Sequence, residues 1–199
     1  MEMQGSRHLA VTQQQAWDAL NDPEVLKTCI PGCDKVEPTG DNQYAVGVAV
    51  KIGPVSAKFN GKITLSDINP PNSYTITFDG QGGAAGFGKG NSQVRLSPPE
   101  EGQGCVLSYS VHASVGGKIA QMGQRLIDGV AKSMAEDFFK RFDEEMQRQH
   151  PQAYASAQAG AGAAAAPGPD DAGGGLPAWV WAVGAAVVLG IGFWVMRSF

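Results

Sequence analysis

The densest run of residues that could do chemistry in this 199-residue chain is GQGGAAGFGKG, Gly80 to Gly90. It contains Gly83-x4-Gly88-Lys89 and so approaches a loop that cradles phosphate. Such a loop needs Ser or Thr after the lysine to hold magnesium, and a helix whose first N–H groups receive the anion. Here Gly90-Asn91 follows and leads into the strand-like QVRL. A glycine-rich hairpin is the better reading, available to a partner or a ligand entrance.

The remaining reactive types are scattered. His8, His112 and His150 stand far apart, and His112 alternates with Ser108 and Ser110 on what reads as the solvated face of a strand. No Ser-His-Asp order, HExxH helix or pair of carboxylates stands out. Cys29 and Cys33 in CIPGC invite a metal reading, yet no histidine lies nearby and Pro31-Gly32 marks a turn. With Cys105 the count is three, an odd number that argues against a disulfide framework. A formal net charge of -4 argues against nucleic-acid binding.

The elements that would position a site are clearer. From Lys118, the residues Ile119, Met122, Leu126, Val130, Met134, Phe138 and Phe142 recur at helical spacing, predicting one long amphipathic helix. Upstream, the apolar residues alternate with period two: Tyr44 to Ile52, Val55 to Leu65, Tyr74 to Phe78, Val94 to Leu96 and Leu107 to Val115. Turns fall at Gly53-Pro54, Pro70-Pro71-Asn72, the glycine run and Glu101-Gly102. Near the start, Thr12 with Gln15 forms a capping-box pattern, and Asp22-Pro23 opens a second short helix. The predicted order is strand, two short helices, about six strands and a long helix: an α+β fold whose curved antiparallel sheet is covered by that helix.

Residues 1–149 make up this globular part, and 150–175 read as a flexible linker of Ala, Gly and Pro. Residues 176–197 form a third segment, in which Pro177 to Met196, PAWVWAVGAAVVLGIGFWVM, is uncharged and has the length of one bilayer-spanning helix. Trp179 and Trp181 at one end and Phe193 and Trp194 at the other would sit in the two headgroup layers. No secretory run opens the chain, so the expectation is a domain in the cytoplasm held to the cytoplasmic membrane by a carboxy-terminal single-pass anchor.

Small residues on the predicted inward faces, Ala57, Gly61 and Ala113, with Gly123 and Gly129 opposite, leave either a cavity or a closely packed core. A cavity there would be walled by Val48, Val50, Phe59, Ile63, Ile76, Phe78, Tyr109, Val111, Met122, Leu126 and Met134.

Taken together, several stretches resemble the CoxG family of carbon monoxide dehydrogenase subunits, within the START-like or polyketide-cyclase-like (SRPBCC) helix-grip superfamily. They are Trp17-x-x-Leu20-x-Asp22-Pro23, the CIPGC segment, VKIGPVSAKFNGKITL from Val50 to Leu65, the glycine run with Val94-Arg95-Leu96, and GGKIAQMG from Gly116 to Gly123 with Phe138-Phe139. The likeness extends over about Met1 to Phe142. It implies a helix-grip fold with a hydrophobic cavity and no catalysis by this chain. It also implies recruitment of a molybdenum-containing carbon monoxide dehydrogenase, or a related hydroxylase, to the membrane, with an isoprenoid quinone as bound ligand. Tyr109 could then offer its hydroxyl to a quinone carbonyl. An assembly factor or lipid carrier for that enzyme, and a cyclase- or hydrolase-like enzyme on the same fold, are the competing expectations.

Overall fold

The computed structural model describes residues 1–164. Strand β1 (Glu2–Leu9) is followed by helices α1 (Gln13–Leu20) and α2 (Pro23–Cys29). Six strands come next: β2 (Cys33–Gly40), β3 (Gln43–Ile52), β4 (Val55–Asn69), β5 (Ser73–Gln81), β6 (Phe87–Ser97) and β7 (Cys105–Gly116). Helices α3 (Gln124–Gln149) and α4 (Pro151–Ala164) close the order. The seven strands form one antiparallel sheet, as the alternation predicts, and its order is β1-β7-β6-β5-β4-β3-β2.

Local chemistry sets the two short helices. The Thr12 hydroxyl accepts the N–H of Gln15, and the Gln15 side chain in turn accepts the N–H of Thr12 at 2.9 Å, a completed capping box. Asp22 accepts from the N–H of Glu24 at 2.9 Å, with Pro23 at the first helical position of α2. Gly32, at φ +72°, turns the chain into β2 as the CIPGC pattern suggests.

The glycine run is a hairpin. A short 3-10 helix, Gly83–Ala85, joins β5 to β6. At Gly86 a Cβ would lie 1.9 Å from the Gly116 carbonyl oxygen, so this end of β6 can approach β7 only without a side chain.

Two expectations about helices are corrected. The long helix begins at Gln124, not at Lys118, because Gly123 adopts φ +88° and Ile119–Met122 forms a separate 3-10 helix. Residues 150–175, expected as a linker throughout, open with α4. Alanine is the best helix former, and a tyrosine anchors the new helix. Tyr154 donates its hydroxyl to the Asp143 carbonyl oxygen at 3.1 Å and to the Asp143 carboxylate at 2.5 Å, and packs with Ala153 against the main core.

Apolar side chains gather in two clusters along the concave face. The larger joins Leu9, Trp17, Leu20, Tyr74, Val94, Leu96, Leu107, Phe142 and Met146. The smaller, at the other end, is built on Ile52, Ala85 and Ile119 with Val50, Phe59, Val115, Met122 and Val130 around them. Among the described residues, no helix is long and apolar enough to cross a membrane. The expected span from Pro177 to Met196, with Trp179, Trp181, Phe193 and Trp194, lies outside the described residues.

Candidate functional site

A cavity of about 290 Å³ lies between the concave face of the sheet and the helices α2 and α3. β-strand alternation aims Val46, Ile63, Leu65, Ile76, Val94, Leu107 and Val111 inward, and α2 with its following turn adds Leu26 and Ile30. From α3, Ala135, Phe138 and Phe139 complete the wall. No Asp, Glu, Lys, Arg, His or Cys is among the lining residues. An apolar cavity of about 150 Å³ takes one benzene ring, so this one has room for two fused rings. It cannot enclose a long isoprenoid chain.

Two of the polar groups in the wall are neighbours. Tyr74 is 5% exposed and Ser92 8% exposed, and both line the cavity. Ile76 pairs with Ser92 and Tyr74 with Val94, which sets Tyr74 and Ser92 diagonally adjacent on the inner face of β5 and β6. The Tyr74 ring meets Trp17 edge-on at 5.3 Å. Burial, then the neighbouring Tyr44, raise the Tyr74 phenol above its ordinary range. Asn21 also reaches the cavity, and its side-chain amide donates to the Trp17 carbonyl oxygen at 2.8 Å.

Of the residues expected to wall a cavity, Ile63, Ile76, Tyr109 and Val111 do so. Val50, Phe59 and Met122 instead pack in the smaller cluster. Leu126 is 40% exposed, over Gly53. Phe78 borders a shallow recess with Asp79, Lys89 and His112, and Val48 and Met134 are half-buried away from the cavity. The small residues did not make the space either. Gly61 is needed because a Cβ there would meet the Asp79 carbonyl oxygen at 2.7 Å, while Gly123 and Gly129 are exposed. Periodicity reports which face a residue occupies, not how far along the strand the covering helix lies over it.

Tyr109 stacks on Phe139 with ring centroids 5.3 Å apart. A Cβ at Gly5 would lie 2.7 Å from its hydroxyl oxygen, so that hydroxyl is directed at the edge strand β1. The sequence did carry a signal for Ser92: it shares the inward register of Val94 and Leu96 and is the polar member of the set. Tyr44, Leu20, Leu26 and Ile30 were readable only as core.

The other candidate chemistry stays dispersed. The His112 side chain is 60% exposed, with Nε2 3.4 Å from Glu2. Cys29 and Cys105 are buried and unpaired, and burial pushes each thiol up to about 11. Among the described residues, no group of three metal-ligating side chains converges.

A curved antiparallel sheet gripping a long helix over an apolar cavity defines the helix-grip class, and solved structures bear this out. A protein from Thermus thermophilus, 14% identical, superposes with a TM-score of 0.57 over 75% of this chain and 99% of its own. The ZhuI aromatase/cyclase from Streptomyces sp. R1128, 13% identical, gives 0.54 over 75% and 94%. A conserved protein from Geobacillus kaustophilus is similar at 35% identity, with a TM-score of 0.70 over 74% of this chain and 96% of that one. Comparison with curated proteins gave no match. Residues 5–147 match the CoxG family of carbon monoxide dehydrogenase subunits, and the chain belongs to that family.

Proposed function

We propose that this chain is a membrane-anchored, non-catalytic adaptor. It brings a molybdenum-containing carbon monoxide dehydrogenase, or a related hydroxylase, to the membrane and holds the head group of an isoprenoid quinone in its cavity. The observation that carries the ligand half is an apolar cavity of about 290 Å³ without an ionisable lining residue other than tyrosine. General acid–base chemistry needs a group that titrates near the working pH, and none faces this space. The volume suits a two-ring head group and leaves the isoprenoid tail outside. Family membership supports the partner, and the uncharged stretch from Pro177 to Met196 supports the anchor.

The test uses full-length protein purified from membranes with whatever enzyme accompanies it. Extraction should yield quinone at close to one per chain, and the accompanying enzyme should contain molybdenum. Truncation after Ala164 spares α4 and its contacts with the core, and should release that enzyme into the soluble fraction. Protein free of quinone overturns the ligand half, and an enzyme still sedimenting with membranes after truncation overturns the anchor.

A further inference from the structure

Two hydroxyls in the cavity wall have no use in packing. Among the described residues, neither Tyr74 nor Ser92 makes a side-chain hydrogen bond, although both are more than nine-tenths buried. Among those same residues, no side-chain oxygen or nitrogen is sealed away without a partner, so both hydroxyl oxygens open onto the cavity rather than into solid core. A hydroxyl that faces an apolar cavity without a protein partner adds nothing to the packing of the core, and an apolar residue of the same shape would serve it as well. Phe in place of Tyr74 and Ala in place of Ser92 would each remove one oxygen. The two hydroxyl side chains, diagonally adjacent on β5 and β6, fit a ligand that supplies acceptors.

We propose that Tyr74 and Ser92 form the polar end of the cavity and donate hydrogen bonds to a carbonyl or hydroxyl oxygen of a ring-sized apolar ligand. The inference rests on the ligand-binding reading above and moves recognition away from Tyr109, whose hydroxyl is directed at Gly5 on the edge strand. Apart from Asn21, Tyr44 and Tyr109, the rest of the wall is apolar, so the rings gain from burial while the hydroxyl pair fixes their orientation. A pure hydrocarbon of the same shape would leave both donors unpaired and bind less well.

Two probes differing only in oxygen decide the matter: dimethylnaphthoquinone, with its reactive ring positions blocked against thiols, and dimethylnaphthalene. Delipidated full-length protein is titrated with each by calorimetry. Wild type should prefer the quinone by roughly tenfold or more, and Tyr74→Phe and Ser92→Ala should each weaken quinone binding by roughly three- to tenfold, the range of one hydrogen bond. Neither substitution should change dimethylnaphthalene binding, which also certifies that the cavity is intact. Tyr109→Phe should leave the preference in place. A double variant, Tyr74→Phe with Ser92→Ala, that keeps the wild-type preference overturns this inference while the cavity reading stands. Equal binding of both probes by wild type overturns it as well. Binding of neither probe overturns the ligand-binding function itself.

Discussion

The thiols of Cys29 and Cys105 are held neutral by the fold. Their ionisation moves from an ordinary 9.0 to about 11, with burial the largest cause at both; at Cys29 the Glu145 carboxylate adds to the rise and Arg141 opposes it. In the unfolded chain these thiols ionise near pH 9. Between that pH and about 11 the unfolded state sheds protons that the folded state keeps. Their contribution is therefore fully present below pH 9 and is lost as the pH climbs toward 11. Urea denaturation followed across this range should show falling stability. In a Cys29→Ala, Cys105→Ala variant, the slope should flatten while overall stability drops through lost packing. A slope that the double substitution leaves unchanged would assign the alkaline loss to other groups.

At the scale of elements, the amino-terminal end of α3 separates two glycines that sequence alone treats alike. Gly123 sits at φ +88° with open space around it, so a side chain there meets backbone strain and no clash. Gly129 lies within α3, also with nothing within 4 Å of a Cβ. Gly123→Ala should destabilise the domain by about 2 kcal/mol, because φ +88° with ψ 144° is backbone that essentially only glycine adopts. Gly129→Ala should stabilise it by about 1 kcal/mol, the helix-propensity difference between glycine and alanine. Chemical denaturation of the two variants checks both signs, and a shared sign would refute this reading of where the helix begins. The same boundary explains why the apolar stripe, extended back to Lys118, placed Met122 and Leu126 in the cavity wall. Met122 precedes the turn at Gly123, and Leu126 belongs to the first turn after it, over the β3–β4 hairpin.

Across the whole described molecule, basic side chains outnumber acidic ones at one end of the sheet and acidic ones prevail in the connections at the other. Residues 50–58, 80–90 and 114–127 converge on the smaller cluster and carry Lys51, Lys58, Lys89, Lys118 and Arg125, against Asp79 and Asp128 at the borders of these segments and Asp34, which pairs with Lys58. The connections at the opposite end, residues 12–24, 41–42, 66–72 and 97–104, carry Asp18, Asp22, Glu24, Asp41, Asp67, Glu100 and Glu101 with no Lys or Arg. A net charge of -4 hides this polarity. At neutral pH and low salt the protein should be retained on both cation and anion exchangers. Replacing Lys51, Lys118 and Arg125 by Gln should abolish retention on the cation exchanger only, and retention that survives would place the attracting surface elsewhere.

Most of the architecture was legible because it is local. The capping box at Thr12, the Asp22-Pro23 start, the alternation along β3 to β7 and the stripe of α3 are each written within a few residues, where backbone geometry has only two periods to offer. The site was only partly legible. Alternation placed Ile63, Ile76, Tyr109 and Val111 on the inner face, and they do line the cavity. It placed Val50 and Phe59 on that face equally well, yet these pack in the other cluster. Nothing local records where a helix from one end of the chain crosses a sheet built from the rest, so the division between cavity and core was decided by tertiary packing. The same holds for the polar end, since Tyr74 and Ser92 become one feature only when β5 and β6 pair in register and the helices pack over them.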